Sequence, residues 1–216
     1  MKIVVFGATG NVGKQIVAEA LRRGHEVVGV VRDPAAVKSP DSRVKLVKGD
    51  ATSAGDIARI VRGADAVASA ISPRPNARGL PAPSLAENAR ALLKGLRDAG
   101  VKRVLYVGGA SSLEVAPGMA LADTPDFPAA YREEAREGRE ALAIFRNEAK
   151  GLDWTYLSPA AEIAPGARTG KYRTTGDALL VDNKGKSFIT FEDYAVAVLD
   201  ELERPKHVGK RFGVAY

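Results

Sequence analysis

Short apolar runs alternate with longer amphipathic stretches through the first half of the chain. The runs are 3–6, 27–31, 44–47, 66–70 and 104–107. Between them, 12–23, 54–61 and 85–99 are rich in Ala, Leu and Arg and read as helices, with Gly24 and Gly100 placed to end the first and last. Strands that are apolar on both faces and separated by helices predict a parallel sheet covered on both sides. Right-handed crossovers then make a doubly wound, mostly parallel α/β sheet the economical topology.

The texture changes after residue 107. Residues 108–128 hold several Gly and Pro and show no period, which predicts a long loop. A charged helix is expected over 129–150, a sixth strand over 153–157, and a second Pro/Gly loop over 158–170. Strand-like pieces follow at 171–173, 178–181 and 187–189, then a closing helix at 191–202 and a last strand at 211–214. With 216 residues and no repeat or linker, the pattern describes one domain whose substrate side is formed by about 108–130 and 158–190.

Composition narrows the chemistry. The absence of cysteine excludes disulfides, thiolate nucleophiles and cysteine-held metals. The net charge of +6 raises the question of nucleic acid, but the basic residues are scattered among 26 acidic ones with no basic block. No apolar run nears the ~20 residues of a membrane span, and Met1-Lys2 leads straight into the first strand without a signal-peptide core. A cytoplasmic protein is expected, with neither nucleic acid nor membrane as partner. Its oligomeric state is not marked in the sequence. His25 and His207 have no third ligand at a recognisable spacing, so no metal is expected.

The segment Gly7-Ala8-Thr9-Gly10-Asn11-Val12-Gly13 follows the first strand and opens the first helix. Gly7 suits a tight turn, Gly10 lets a pyrophosphate approach the backbone, and Gly13 lets helix and strand pack closely. The helix N-terminus then faces the phosphates. A phosphate loop for nucleoside triphosphates does not fit, because Gly13-Lys14 is followed by Gln15 and Ala8 stands where its first glycine belongs. A Rossmann-type dinucleotide site is therefore expected, with Gly7, Thr9, Gly10, Asn11 and Val12 at its centre.

Other strand ends complete the candidate site. Arg32 ends the second strand where an NAD site usually carries an acidic residue, and its guanidinium suits the 2′-phosphate of NADPH. The next residue, Asp33, suits either a ribose or, before Pro34, a helix cap. NADPH is the expected cofactor, with NADH also admitted. Asp50 and Ala51 follow the third strand, where an adenine edge would lie, although Asp50 is equally suited to capping a turn. Ala70, Ile71 and Ser72 follow the fourth strand, beside the middle of a dinucleotide.

With these residues in place, the chain resembles the atypical short-chain dehydrogenases/reductases, in particular the NAD(P)H-binding NADH-flavin reductase group related to NmrA-like and biliverdin-reductase-B-like proteins. The resemblance runs from the glycine turn and Gly49-Asp50-Ala51 to Val107-Gly108-Gly109-Ala110-Ser111-Ser112-Leu113. It continues in Trp154-Thr155-Tyr156-Leu157-Ser158-Pro159-Ala160, in Pro165-Gly166-Ala167-Arg168-Thr169-Gly170 and in residues 187–195. It implies cofactor contacts at Gly108, Gly109 and Pro159, the last against the nicotinamide. It also implies a substrate-side role for the segment from Arg168 to Tyr172.

The departure from the family pattern concerns catalysis. Typical short-chain dehydrogenases use Tyr-x-x-x-Lys, in which the Lys lowers the phenol pKa. No tyrosine here is followed by Lys four residues on. Flavins and quinones need that acid less, because their anionic products take protons from water. Ser111 is the candidate catalytic residue and Ser112 shares its reading, either orienting substrate or relaying a proton, with simple loop hydrogen bonding as the competing role. Trp154, Tyr156 and Phe191 read as core. The leading expectation is an NADPH-dependent reductase acting on a small conjugated acceptor such as a flavin or quinone. The alternatives are an NmrA-like redox sensor that binds NADP(H) without turnover, and an epimerase or dehydratase of the extended family.

Overall fold

The computed structural model describes residues 1–37, 39, 41–73 and 83–216. The main sheet is built from β1 (Lys2–Phe6), β2 (Glu26–Val31), β3 (Lys45–Lys48), β4 (Ala66–Ser69) and β5 (Arg103–Val107), joined by β8 (Asp153–Ser158), β10 (Arg173–Thr175) and β12 (Lys210–Ala215). Two small ribbons lie outside it. One is the hairpin of β6 (Glu114–Ala116) and β7 (Met119–Ala120), and the other pairs β9 (Glu162–Ala164) with β11 (Phe188–Thr190). The main sheet runs β10-β12-β8-β5-β4-β1-β2-β3. All its pairings are parallel except that of the edge strand β10 with β12. This is the doubly wound, Rossmann-type order.

Both faces of the sheet are covered, as the two-sided apolar strands require. Alternate residues of β1 supply both layers: Ile3 and Val5 face α1 (Asn11–Arg22) and α5 (Phe191–Glu203). Val4 and Phe6 face the opposite layer of α2 (Ala54–Val61), α3 (Leu85–Ala99) and α4 (Arg132–Glu148). In that second layer Tyr106 stacks on Tyr156 with ring centroids 5.5 Å apart, and Phe145 tilts against both Tyr106 and Trp154. Trp154 and Tyr156 are core residues as expected, whereas Phe191 is half-buried at the start of α5.

Helix ends follow local chemistry. Ser53, Ser84 and Thr190 cap α2, α3 and α5 by accepting from the backbone amide three residues on. Gly24 and Gly100, at φ +80° and +73°, follow α1 and α3 in the left-handed region that glycine enters without a Cβ penalty.

Four expectations need correction. Residues 108–128 are not structureless, because the β6–β7 hairpin lies inside them and Glu114 exchanges backbone bonds with Asp177 and Leu179. The loop expected at 158–170 contains β9, which finds its partner far along the chain in β11. Residues 178–181 form no strand, only a single bridge between Ala178 and Glu114. The charged helix begins with a separate 3-10 turn at Ala129–Tyr131 before α4 proper.

Candidate dinucleotide site

The register brings the C-terminal ends of the strands to one edge. Phe6 pairs with Val30 and Ser69, Ser69 with Tyr106, and Val107 with Leu157. The residues that follow them, from Gly7 to Pro159, therefore line one crest of the sheet. Between β1 and β4 the strand order reverses, which is where ligands bind in open α/β sheets.

The three glycines of the turn have distinct reasons to be glycine. Gly7 has φ +74°, and a Cβ there would lie 2.4 Å from the Ala70 carbonyl oxygen. A Cβ on Gly13 would lie 2.0 Å from the Gly7 carbonyl oxygen, so the helix start packs directly on the turn. Gly10 is exposed with φ −72°, and a Cβ there would meet only the Gly7 oxygen, at 3.3 Å. Its other side is open to solvent. Thr9 and Asn11 are exposed beside it, while Val12 is half-buried against the core. Unlike α2, α3 and α5, α1 has no side-chain cap, so its first-turn amides face the same opening. A Cβ-free cradle under an uncapped helix N-terminus suits a pyrophosphate.

At the end of β2, Asp33 takes the capping role. Its carboxylate accepts from the Ala35 amide at 3.1 Å and starts the 3-10 turn Pro34–Ala36. Arg32 is exposed at the strand end itself. After β3, the Asp50 carboxylate accepts from the amide and hydroxyl of Thr52, both at 2.8 Å. Its carboxylate thus braces the turn, and Ala51 beside it is half-buried. Ala70 and Ile71 are half-buried after β4, with Ser72 exposed.

After β5, Gly108 is forced by packing, since a Cβ would lie 1.9 Å from the Tyr156 ring. The Gly109 amide faces the Tyr156 hydroxyl, which donates to the Gly138 carbonyl at 3.0 Å. Ser111 is half-buried in the same loop, its Oγ near Gly138 of α4. Ser112 turns elsewhere, accepting from Arg211 through both its Oγ and its carbonyl. Pro159 is buried behind the end of β8.

Five tyrosines have pKa values raised above the ordinary phenol value. Burial raises the pKa of Tyr106, Tyr156 and Tyr194. Burial and then the neighbouring Asp200 do the same to Tyr172, and burial followed by Asp193 to Tyr216. Tyr131 is exposed at the start of α4.

The segment from Arg168 to Tyr172 is tied to α1 and α5 by side-chain bonds. Arg168 donates to both oxygens of Glu19 on α1, at 2.8 and 3.0 Å. The Tyr172 hydroxyl donates to Asp200 on α5 at 2.7 Å. These bonds draw the segment onto the α1–α5 face. Gly166 stays nearer the glycine turn, because Glu192 accepts from its amide at 2.9 Å and from Gln15 of α1 at 3.2 Å.

The buried Asp193 anchors the same loop, accepting from the Thr169 hydroxyl, the Tyr216 hydroxyl and the amides of Thr169 and Gly170. Burial alone would raise its pKa, but these bonds bring it below the ordinary carboxylate value. A carboxylate with a lowered folded-state pKa stabilises fully above its unfolded value and loses that contribution as pH falls through the folded one. Amide exchange at Thr169 and Gly170, corrected for intrinsic rates, is therefore expected to accelerate selectively below pH ~4. Unchanged protection in acid would remove Asp193 as the anchor.

Two features were not anticipated. Asn88 of α3 is fully buried, donates to the Ala51 carbonyl at 2.7 Å and accepts from the Ser69 hydroxyl at 3.3 Å. The signal was a polar residue on the apolar stripe of Leu85, Ala89, Leu92 and Leu96. A cavity of about 350 Å³ also lies between the hairpin and α4. Its Arg139 and Arg146 pair with Asp123 at 2.8 Å and Asp177 at 3.0 Å.

The NAD(P)H-binding family matches residues 7–205, from the first glycine of the turn to two residues beyond α5. The chain belongs to the NAD(P)H-binding family. The Bacillus subtilis protein YwnB, itself uncharacterized, is 41% identical over 99% of this chain and 98% of its own. Among solved structures, a Burkholderia pseudomallei protein described as presumed exported is 44% identical, with a TM-score of 0.89 and full coverage of both chains. A presumed epimerase from Bacteroides thetaiotaomicron is 40% identical, with a TM-score of 0.86 over 100% of this chain and 96% of that one. A presumed NADH-flavin reductase from Streptococcus pneumoniae is 33% identical, with a TM-score of 0.83 over 100% and 99%. The atypical short-chain dehydrogenase-like grouping and the Rossmann-type fold both stand. No described helix is long and apolar enough to cross a membrane.

Proposed function

We propose that this NAD(P)H-binding protein is an NADPH-dependent reductase that passes hydride to a flavin, a quinone or a similar conjugated acceptor. The supporting observation is a Cβ-free glycine turn under an uncapped helix N-terminus, in a chain that has no Tyr-x-x-x-Lys pair. When bound, the reduced nicotinamide supplies the hydride. The chain contributes position, with Gly7, Gly10 and Asn11 holding the phosphates and the loop from Gly108 to Ser111 facing the acceptor. The accompanying proton then comes from water or through the Ser111 hydroxyl. Arg32 favours the phosphorylated cofactor. Such a reaction suits the cytoplasm, where reduced nicotinamide is supplied, although the Burkholderia protein is described as exported.

An epimerase is the second reading, favoured by the presumed Bacteroides epimerase. The missing Tyr-Lys pair argues against it. Steady-state assays separate the two. NADPH oxidation by FMN, FAD or a quinone is expected, with no interconversion of nucleotide sugars. Tyr131→Phe should change the rate only modestly. A loss of about a hundredfold or more would match general acid catalysis and overturn this reading, as would sugar epimerisation without acceptor reduction.

A further inference from the structure

We propose that Asn88 is a positioning residue for the adenosine half of the dinucleotide, a role that rests on the cofactor lying across the strand ends. Asn88 exposes no surface of its own to a ligand. Its side chain lies inside the α2–α3 layer, fully buried, on a helix stripe whose other members are Leu85, Ala89, Leu92 and Leu96. An apolar side chain would fill that position by packing alone. The amide instead uses both of its functions, and on two different strand ends.

Its Nδ2 donates to the carbonyl of Ala51, in the turn after β3. Its Oδ1 accepts from the hydroxyl of Ser69, the last residue of β4, which is itself fully buried. The two ends differ in support. Ser69 is held in the sheet between Phe6 and Tyr106. The Ala51 turn hangs from the edge strand β3, and its other bonds are near in sequence or to the neighbouring strand. Asp50 accepts from Thr52 and donates its amide to Asp56, and the Gly49 amide donates to the Val31 carbonyl. The Asn88 bond ties this edge turn to α3 and, through Ser69, to the middle of the sheet.

The geometry divides the cofactor. The pyrophosphate belongs over Gly7 to Gly13, at the reversal between β1 and β4, and the nicotinamide belongs toward β5 and β8. The adenosine then falls over β2 and β3, against the turn that Asn88 fixes. Releasing that turn loosens the adenosine wall and leaves the glycine turn and the β5 loop in place.

The test uses the whole protein, titrated by calorimetry with NADP⁺, with 2′,5′-ADP as the adenosine half and with NMN as the nicotinamide half. Asn88→Leu keeps the volume and removes both bonds. It should weaken NADP⁺ and 2′,5′-ADP by about tenfold while leaving NMN within about twofold. Ser69→Ala removes one bond and keeps the fold, so it carries the test if Asn88→Leu does not fold; its expected loss is about threefold with the same pattern. Equal losses for NMN, or no loss for 2′,5′-ADP, would overturn the role of Asn88. A native protein that binds NADP⁺ but gains nothing from 2′,5′-ADP contacts would instead overturn the strand-end placement on which the role rests.

Discussion

Gly10→Val should bind NADPH at least about a hundredfold more weakly than the native protein, a loss of ~2.7 kcal/mol, while remaining folded. The backbone there is extended, with φ −72° and ψ 171°, which a β-branched residue adopts readily. The new Cβ would lie 3.3 Å from the Gly7 oxygen, a distance that a shift of a few tenths of an ångström relieves. The two methyl groups then occupy the exposed side of the turn, where phosphate oxygens must come within hydrogen-bond distance of the α1 amides. Gly13→Val is the contrasting variant. Its Cβ would lie 2.0 Å from a backbone oxygen, so it should lose stability as well as binding. Thermal melting and NADPH titration of both variants check this. Unchanged affinity in Gly10→Val would place the dinucleotide elsewhere.

The glycine turn was legible in the sequence because its reasons are local. A strand, three glycines and a helix follow one another within a dozen residues, with Gly7 answering to its own positive φ and Gly13 to the Gly7 oxygen six residues earlier. Helices α2 and α3 were equally legible, since Ser53 and Ser84 cap them and the apolar stripe repeats at the helical period. The hairpin β6–β7 was not. Its strands are three and two residues long, its Val115 and Met119 are exposed, and a register shift between Glu114 and Ala116 breaks any alternation. Nor was β9, whose reason to exist is a partner strand some 26 residues later, in β11. Arg168 shows the same limit at the level of a side chain. The sequence places it in a loop, and its partner there is Glu19, 149 residues earlier.

Arg32→Ala should weaken NADPH binding by about tenfold to a hundredfold and leave NADH nearly untouched. A charge-assisted bond to a phosphate is worth ~1.5–3 kcal/mol, and NADH has no 2′-phosphate to lose it. Asp33 sharpens the prediction, because its carboxylate is committed to the Ala35 amide as the cap of the Pro34–Ala36 turn. Asp33 is thereby turned toward its own backbone, and Arg32 is left as the charged side chain at the β2 end best suited to discriminate. Arg32→Lys should recover only part of the affinity, since an ammonium keeps the charge but not the planar fork. Equal losses for both cofactors would mean that Arg32 supports the loop and does not read the phosphate.

The central claim is hydride transfer from a nicotinamide held at this edge of the sheet, without a tyrosine acid. The most direct measurement mixes the NADPH-loaded protein rapidly with FMN or a quinone, using NADPH carrying either hydrogen or deuterium at the transferred position. The absorbance of the reduced nicotinamide should disappear in step with acceptor reduction, and more slowly for the deuterated cofactor. Tight NADPH binding with no loss of that absorbance under any acceptor would contradict it and leave a protein that senses the cofactor without turning it over.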